Sequence, residues 1–413
     1  ISYEIFRRDS QYVVNKIQPD MVIYDEAHRA RNQYGLTNEA MKAIRPSHKY
    51  FMALTGSVFN NSPKDIVPLI DAMTAGNHKL GTPEEFEKRF LKKLPSGRTA
   101  LANESLLREM IKPYIHYVDQ AAVGKDANMP TKIIEEVPVE MNSDQVSKYR
   151  FIMHELDPIA RMKVAIGATN LSKTESQHIF KKLIQARQVS NSLHTVDPNM
   201  TPLEGAKRSP KIQKLVDDIA QHLEETPDGQ AIAFTNLVHG GIDALHAELT
   251  HRGIAHGVFI GKGREPGKGE DNVTEISRQK DVHDYKTGKK KVLILSGAGG
   301  EGLDLGNTTF VGMLDGHFNP EVMNQAEARG VRSGGQAHRD PDNRRVLVRR
   351  YMSVMPTSFS DKMRDVWEAV SPLSIIDRLF TKDVPVFYNP LEEHKSTDEW
   401  IYDVAKKKEE TND

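Results

Sequence analysis

No cysteine occurs among the 413 residues. That excludes disulfides, thiolate metal sites and a cysteine nucleophile, and it fits an intracellular protein. Long apolar runs are missing as well. With 38% hydrophobic and 27% charged residues and a mean hydropathy of -0.54, neither a membrane span nor a secretory signal peptide is expected. Nor is either charge in excess, since 56 Lys and Arg stand against 57 Asp and Glu, for a net charge of -1. Any nucleic-acid groove has to be a local basic surface on a neutral molecule. Finally, no stretch reads GxxxxGKS or GxxxxGKT, a common phosphate-binding loop. What the chain does have is length: 413 residues exceed one ordinary core, so two or more compact domains are expected.

Residues 21–32 read MVIYDEAHRARN. Met21 to Tyr24 make the short unbroken run of a strand buried on both faces of a parallel sheet. Asp25 and Glu26 follow at once, and at the carboxyl end of such a strand they stand where open α/β sheets bind ligands. The competing reading is a helix start, with Asp25 as cap and the acids favoured by the helix dipole.

Around this stretch the first 95 residues alternate between strand-like and helix-like pieces, which implies a parallel α/β sheet. KYFMALTGS returns as a strand, and SPKDIVPLIDAM reads as a helix opened by Ser62 and Pro63. Residues 96–205 are dominated by polar and amphipathic helical stretches interrupted by the extended TKIIEEVPVEM, and read as a helical insertion and bridge. A second α/β pattern occupies 206–356, where QAIAFT, AHGVFIG, KKVLILSG and TTFVGMLD alternate with helices. A helix and a frayed charged tail fill 357–413. Two basic clusters, KTGKKK (286–291) and the edge-like strand RRVLVRR (344–350), can neutralise phosphates, although charge runs are usually solvated surface. His239, His251, His256 and His338 lack the spacing of a metal site.

Four stretches stand in a telling order: VIYDEAHRARN (22–32), ALTGSVFNN (53–61), LILSGAGGEGLDLGNTTFVGMLDGHFNP (293–320) and NQAEARGVRSGGQ (324–336). Together they resemble the Swi/Snf-like family of superfamily-two helicases, ATPases that translocate on double-stranded DNA, over roughly residues 2–340. The resemblance implies an α/β fold of two RecA-like lobes with a helical insertion between them. It also implies that the opening part of the first lobe, with the phosphate loop, lies outside this chain, supplied by a missing segment or a separate chain. ATP and Mg²⁺ are the implied ligands and double-stranded DNA the implied partner. Asp25 then holds Mg²⁺, through water, and Glu26 orients or deprotonates the attacking water. His28 links the nucleotide site to the other lobe by a hydrogen bond, and Gln325, Gly302 and Asp304 belong to the nucleotide side. Arg329 and Arg332 match the pair that reaches across the cleft to the γ-phosphate, and their spacing lets both face one side of a helix. Thr55, Gly56 and Ser57 couple the sites, while Asn60, Asn236, Ser296, Gly299 and Gly300 fall on the nucleic-acid side. Departures from the pattern are Ser57, Val58, Asp304, Ala328 and an additional Gly335 before Gln336. The alternative is a non-hydrolysing DNA-binding or structural fragment, or half of a split motor.

Overall fold

The computed structural model describes residues 1–45, 49–56, 63–93, 99–117, 128–155, 173–260, 275–297, 303–317, 320–356 and 396–412. The architecture is α/β, in two compact units that divide between residues 119 and 120.

In the first unit α1 (Tyr3–Tyr12), β1 (Met21–Tyr24), α2 (Leu36–Ile44), β2 (Tyr50–Ala53) and α3 (Ile66–Thr74) alternate as the pattern predicts. β1 and β2 pair in parallel, Met21 opposite Tyr50 and Tyr24 opposite Ala53. Val22, Tyr24, Phe51 and Ala53 pack against Phe6, Met41, Ile44 and Leu69 of the three helices. Burial on both faces does not follow: Met21, Ile23, Tyr50 and Met52 remain 44–55% exposed. An unbroken apolar run is compatible with two covered faces but says nothing about whether a second layer is present. α4 (Pro83–Phe90) starts in a capping box, Thr82 and Glu85 each bonding the other's backbone N–H. The chain then leaves the helix, and β3 (Leu91–Lys93) pairs antiparallel with β4 (Thr99–Leu101). Phe86 and Phe90 meet Ile66, Ile70, Leu80 and, from α5 (Glu104–Ile111), Leu107 in a small second core.

The second unit is built on one sheet. Its strands are β5 (Thr131–Glu140), β6 (Gln230–Phe234), β7 (His256–Phe259), β8 (Val292–Leu295), β9 (Thr308–Met313) and β10 (Arg345–Val354), in the order β5-β10-β9-β6-β8-β7. Every neighbouring pair is parallel. The helices are α6 (Ser143–His154), α7 (Lys173–Asn191), α8 (Pro202–Lys207), α9 (Pro210–Glu225), α10 (Asp243–His251), α11 (Glu275–Lys286), α12 (Pro320–Ala328) and α13 (Thr397–Asn412). Successive strand residues point to opposite faces. Ala231, Ala233, Ile294 and Phe310 meet Ile212 and Leu215 of α9 and Leu245 of α10. Ile232, Phe234, Leu293 and Val311 meet Tyr285 of α11, Met323 and Ala326 of α12, and Tyr402 of α13. Both faces are covered, which is why these strands read as continuous apolar runs.

Three expectations change here. The extended piece read as part of a bridge is β5, the edge strand of the large sheet. RRVLVRR, read as edge-like, lies inside the sheet between β5 and β9, because acids meet its charged end: Arg349 pairs with Glu135 and Asp218, and Arg350 with Glu327. The charged tail is helical through Asn412 in α13, whose first turn is anchored by a buried ion pair between Asp398 and Lys211 of α9. The helix expected at SFSDKMRDVWEAV lies outside the described residues.

Candidate functional site

β1 delivers Asp25 and Glu26 to the carboxyl end of the parallel pair. Glu26 takes a left-handed backbone, φ 51° and ψ 46°, which costs a non-glycine residue about 1–3 kcal/mol. Local bonds hold it there. Leu54 N–H donates to the Tyr24 carbonyl at 2.8 Å and Ala27 N–H to the Leu54 carbonyl at 2.9 Å, while Glu26 N–H donates to Asp25 Oδ1 at 3.0 Å. From α1, the Tyr3 hydroxyl donates to the Asp25 carbonyl at 2.7 Å. Burial pushes the Tyr3 pKa up to about 12, so it stays a donor at neutral pH. Residues Ala27–Ala30 do form a short 3-10 turn, but Glu26 at its cap makes no side-chain cap bond. A helix start therefore leaves that carboxylate unexplained.

His28 joins the two strand ends. Its Nδ1 lies 3.2 Å from Thr55 Oγ1 and 3.2 Å from Glu26 Oε2. Burial lowers the imidazole pKa, against the opposing pull of the Glu26 carboxylate. The Glu26 contact has ion-pair distance without hydrogen-bond geometry, so Oε2 is shielded from solvent and has no hydrogen-bond partner among the described residues. A carboxylate oxygen in that condition calls for a water or a cation. Two hard carboxylates fit Mg²⁺, which takes one or two of them and keeps several waters. No group of three or more potential metal ligands occurs among the described residues. The geometry thus brings together Asp25, Glu26, His28 and Thr55, with Gly56 following in open space. Ser57 and Asn60 lie outside the described residues.

In the second unit β6 pairs with β8 on one side and β9 on the other. Strand order reverses there, and the carboxyl ends at such a point form the usual ligand crevice of an open α/β sheet. Asn236, Ser296 and Asp315 follow these three strands. Asp315 is fully buried and accepts from the Asn236 N–H at 3.1 Å, the Asn191 amide at 3.3 Å, the Arg187 guanidinium at 3.3 Å and the Thr235 hydroxyl. Asn236 Nδ2 and Ser296 Oγ, by contrast, are shielded and have no hydrogen-bond partner among the described residues. Gly297 makes room for the Asn236 side chain: a Cβ there would stand 2.7 Å from Asn236 Oδ1. The next glycines, Gly299, Gly300 and Gly302, lie outside the described residues, and Asp304 is exposed.

The two arginines do not share a helical face. α12 ends at Ala328, so half-buried Gln325 is on the helix while Arg329 and Arg332 follow in the turn. Arg329 is 5% exposed; Arg332 is exposed and donates to the Leu303 carbonyl at 3.4 Å. The chain closes against the sheet at Gly330, where a Cβ would stand 2.8 Å from Thr308 Cγ2. The additional Gly335 has a similar reason, since a Cβ there would fall 2.5 Å from the Gly306 carbonyl oxygen. Gln336 is fully buried and donates to the carbonyls of Thr308 at 2.7 Å and Arg345 at 3.1 Å. Its role here is to splice the turn to β9 and β10.

Sequence reasoning missed Arg187 and Asn191, which hold Asp315 from α7, and the ion pairs of Glu327. Only Asp315 carried a signal, as the acid before HFNP. The basic clusters prove largely internal in their bonding: Lys290 pairs with Asp281, Lys291 donates to the Pro227 carbonyl, and Arg349 and Arg350 are paired as above. His256 meets His246 at 2.8 Å. A Ser192, His194, Asp243 chain has contacts of 2.8 and 3.0 Å, yet Ser192 is fully buried and a Cβ on Gly205 would stand 2.3 Å from its Oγ. No substrate can approach that hydroxyl, so the chain is structural.

Residues 1–195 match the model of the SNF2-related domain, and residues 211–334 that of the helicase conserved C-terminal domain. A putative ATP-dependent RNA helicase of Acanthamoeba polyphaga mimivirus is 24% identical over 353 residues, covering 83% of this chain and 71% of its own. A DNA repair and recombination protein RAD54-like of Gallus gallus is 26% identical over 191 residues, 44% of this chain and 25% of its own. The uncharacterized ATP-dependent helicase YqhH of Bacillus subtilis is 24% identical over 346 residues, 79% and 56% of the two chains. This chain therefore spans between a quarter and about seven-tenths of these relatives. Among solved structures, the Sulfolobus solfataricus SWI2/SNF2 ATPase core in complex with dsDNA aligns with 99% of this chain and 75% of its own, at 18% identity and a TM-score of 0.42.

Proposed function

Because the chain belongs to the Swi/Snf-like family of helicase-type ATPases, we propose that it hydrolyses ATP to drive movement along double-stranded DNA. The observation that carries this reading is the cluster of Asp25, Glu26, His28 and Thr55 at the ends of two paired parallel strands. Phosphoryl transfer requires an oriented water, neutralised phosphate charge and cations over the transition state. Asp25 would hold Mg²⁺, and the ion when bound would offset the phosphate charge. Glu26 orients the attacking water and takes its proton. Its shielded Oε2, which has no hydrogen-bond partner among the described residues, supports that role, because such an oxygen is left to accept from a water. His28 passes the state of the carboxylate to Thr55, and so to Gly56 and Ser57.

In the same reading Arg329 and Arg332 balance charge on the transferring phosphoryl group, with Gln325, Gly302 and Asp304 on the nucleotide side. Asn236 and Ser296, whose Nδ2 and Oγ have no hydrogen-bond partner among the described residues, are assigned to the nucleic-acid side of the second unit, and Asn60, Gly299 and Gly300 are assigned to the nucleic acid from the motifs alone. Contacts to the backbone alone carry no base information, so movement is independent of sequence. The Gallus gallus relative is named for DNA repair and recombination, the mimivirus relative for RNA. The identity of the duplex is therefore what a test has to separate.

That test is ATP hydrolysis with duplex DNA, with duplex RNA and with neither, beside Glu26→Gln, together with displacement of a labelled third strand from a DNA triplex. Duplex DNA should raise turnover, and the third strand should leave only when ATP is present. Stimulation by duplex RNA alone, or turnover that survives Glu26→Gln, would overturn the proposal.

A further inference from the structure

Glu327 has no role in the cluster at β1, and the sequence offers no reason to notice it. It is 1% exposed, and its carboxylate faces two cations from two adjacent strands. Lys132 Nζ on β5 lies 3.0 Å from Oε2; on β10, Arg350 approaches Oε1 with Nε at 2.8 Å and Nη2 at 2.7 Å. The strands that carry these cations are joined over ten residue pairs, from Arg345 opposite Thr131 to Val354 opposite Glu140. Glu327 also holds the turn with its main chain: Gly330 N–H and Val331 N–H donate to its carbonyl at 3.1 and 3.2 Å. One residue thus grips the strand pair with its side chain and the arginine turn with its backbone.

Taking such charges out of water is expensive, and apolar side chains of similar volume often stabilise a core as well or better. What the ions add is direction. A carboxylate bonded from two sides by cations on a rigid ladder fixes the rotation and depth of the helix end that bears it. Two residues before it is Gln325, and two after it Arg329. β5 is the first strand after the boundary between the two units, so Lys132 ties this helix end to the segment through which the chain enters the second unit.

We propose that Glu327 is the positioning residue of the arginine turn, setting Arg329 and Gln325 through its bonds to Lys132 and Arg350. The assignment rests on reading Arg329 as a cation for the transferring phosphoryl group. The test uses the full chain with Glu327→Gln, Lys132→Met and the double variant. Lys132 is partly exposed, so its variant remains informative if loss of Glu327 prevents folding. Hydrogen exchange at the amides of 329–331 and phenylglyoxal modification of Arg329 report the turn directly. ATP turnover reports its consequence.

Exchange at 329–331 and modification of Arg329 should rise several-fold in both single variants, with the global unfolding midpoint as reference. Turnover should fall by about tenfold, with KM for ATP within about twofold, the signature of an interaction made in the transition state. The double variant should lose no more than Glu327→Gln, because that change already breaks the Lys132 contact, the only one that Lys132→Met removes. Folded variants with unchanged exchange and modification would overturn the proposal, as would full multiplicative loss in the double variant. If the unsubstituted chain does not hydrolyse ATP, the proposed function falls, and the exchange arm still decides whether Glu327 sets the turn.

Discussion

Replacing Asp315 by asparagine keeps the shape of the side chain and removes one charge, so it isolates what that carboxylate does. Asp315 is fully buried and accepts from four groups: Asn236 N–H, the Asn191 amide, the Thr235 hydroxyl and the Arg187 guanidinium, whose side chain is 7% exposed. An asparagine turns one of the two acceptor oxygens into a donor that points at donors, and it takes the carboxylate away from a buried guanidinium. Removing one partner of a buried pair costs about 3–5 kcal/mol. The lost hydrogen bonds to a charged acceptor, about 1.5–3 kcal/mol, are part of that sum and do not add to it. With a urea dependence of about 1–3 kcal/mol per molar, the unfolding midpoint of the second unit should drop by roughly 1–5 M. Circular dichroism against urea measures it, beside Thr235→Val, which removes one hydroxyl bonded to the charged acceptor and should cost about 1.5–3 kcal/mol. A drop for Asp315→Asn no larger than that of the hydroxyl control would show that the network is not organised around the charge, and the reasoning would fail.

Glu26→Gln should lower turnover by about 10²–10⁴ while ATP still binds, as measured by hydrolysis and by equilibrium binding of a fluorescent analogue. Thr55→Val removes the hydroxyl 3.2 Å from His28 Nδ1 and should reduce stimulation by DNA more than basal hydrolysis; equal loss of both would mean that Thr55 does not couple. Burial lowers the pKa of His222 and of His256, which also faces His246, Lys290 and Asp281. The folded state therefore resists protons that the unfolded chain accepts near 6.5. Stability of the second unit is complete above that value and lost as pH falls through it, so its urea midpoint should be lower at about pH 5.5 than at about pH 8, and His256→Gln should flatten the slope. Gly335→Ala forces a Cβ to 2.5 Å from the Gly306 carbonyl oxygen, and its melting temperature should fall well below that of Gly253→Ala, where nothing lies within 4 Å but φ is +69°.

Much of the fold was legible because its signals are local. A strand ending in Asp25 and Glu26, the Ser209 cap of α9 and the apolar runs of β6, β8 and β9 all depend on residues a few positions apart. Helical and strand periods act over that range, and so do caps. Within the candidate site, Asp25, Glu26, His28 and Thr55 were legible as motif residues, but the left-handed backbone at Glu26 and the 3.2 Å contacts of His28 were not. By itself the sequence determined the α/β alternation, the two regions that carry motifs and the order of those motifs. Tertiary structure decided which neighbour each strand takes and where each charge finds its partner. It put RRVLVRR inside the sheet, ended α12 before Arg329 and left one face of β1 and β2 exposed. It also brought Arg187 to Asp315 across 128 positions and Lys132 to Glu327 across 195. A contact closed over that span leaves no periodicity in the chain, because it is selected by the packing of whole elements and not by the spacing of residues within one.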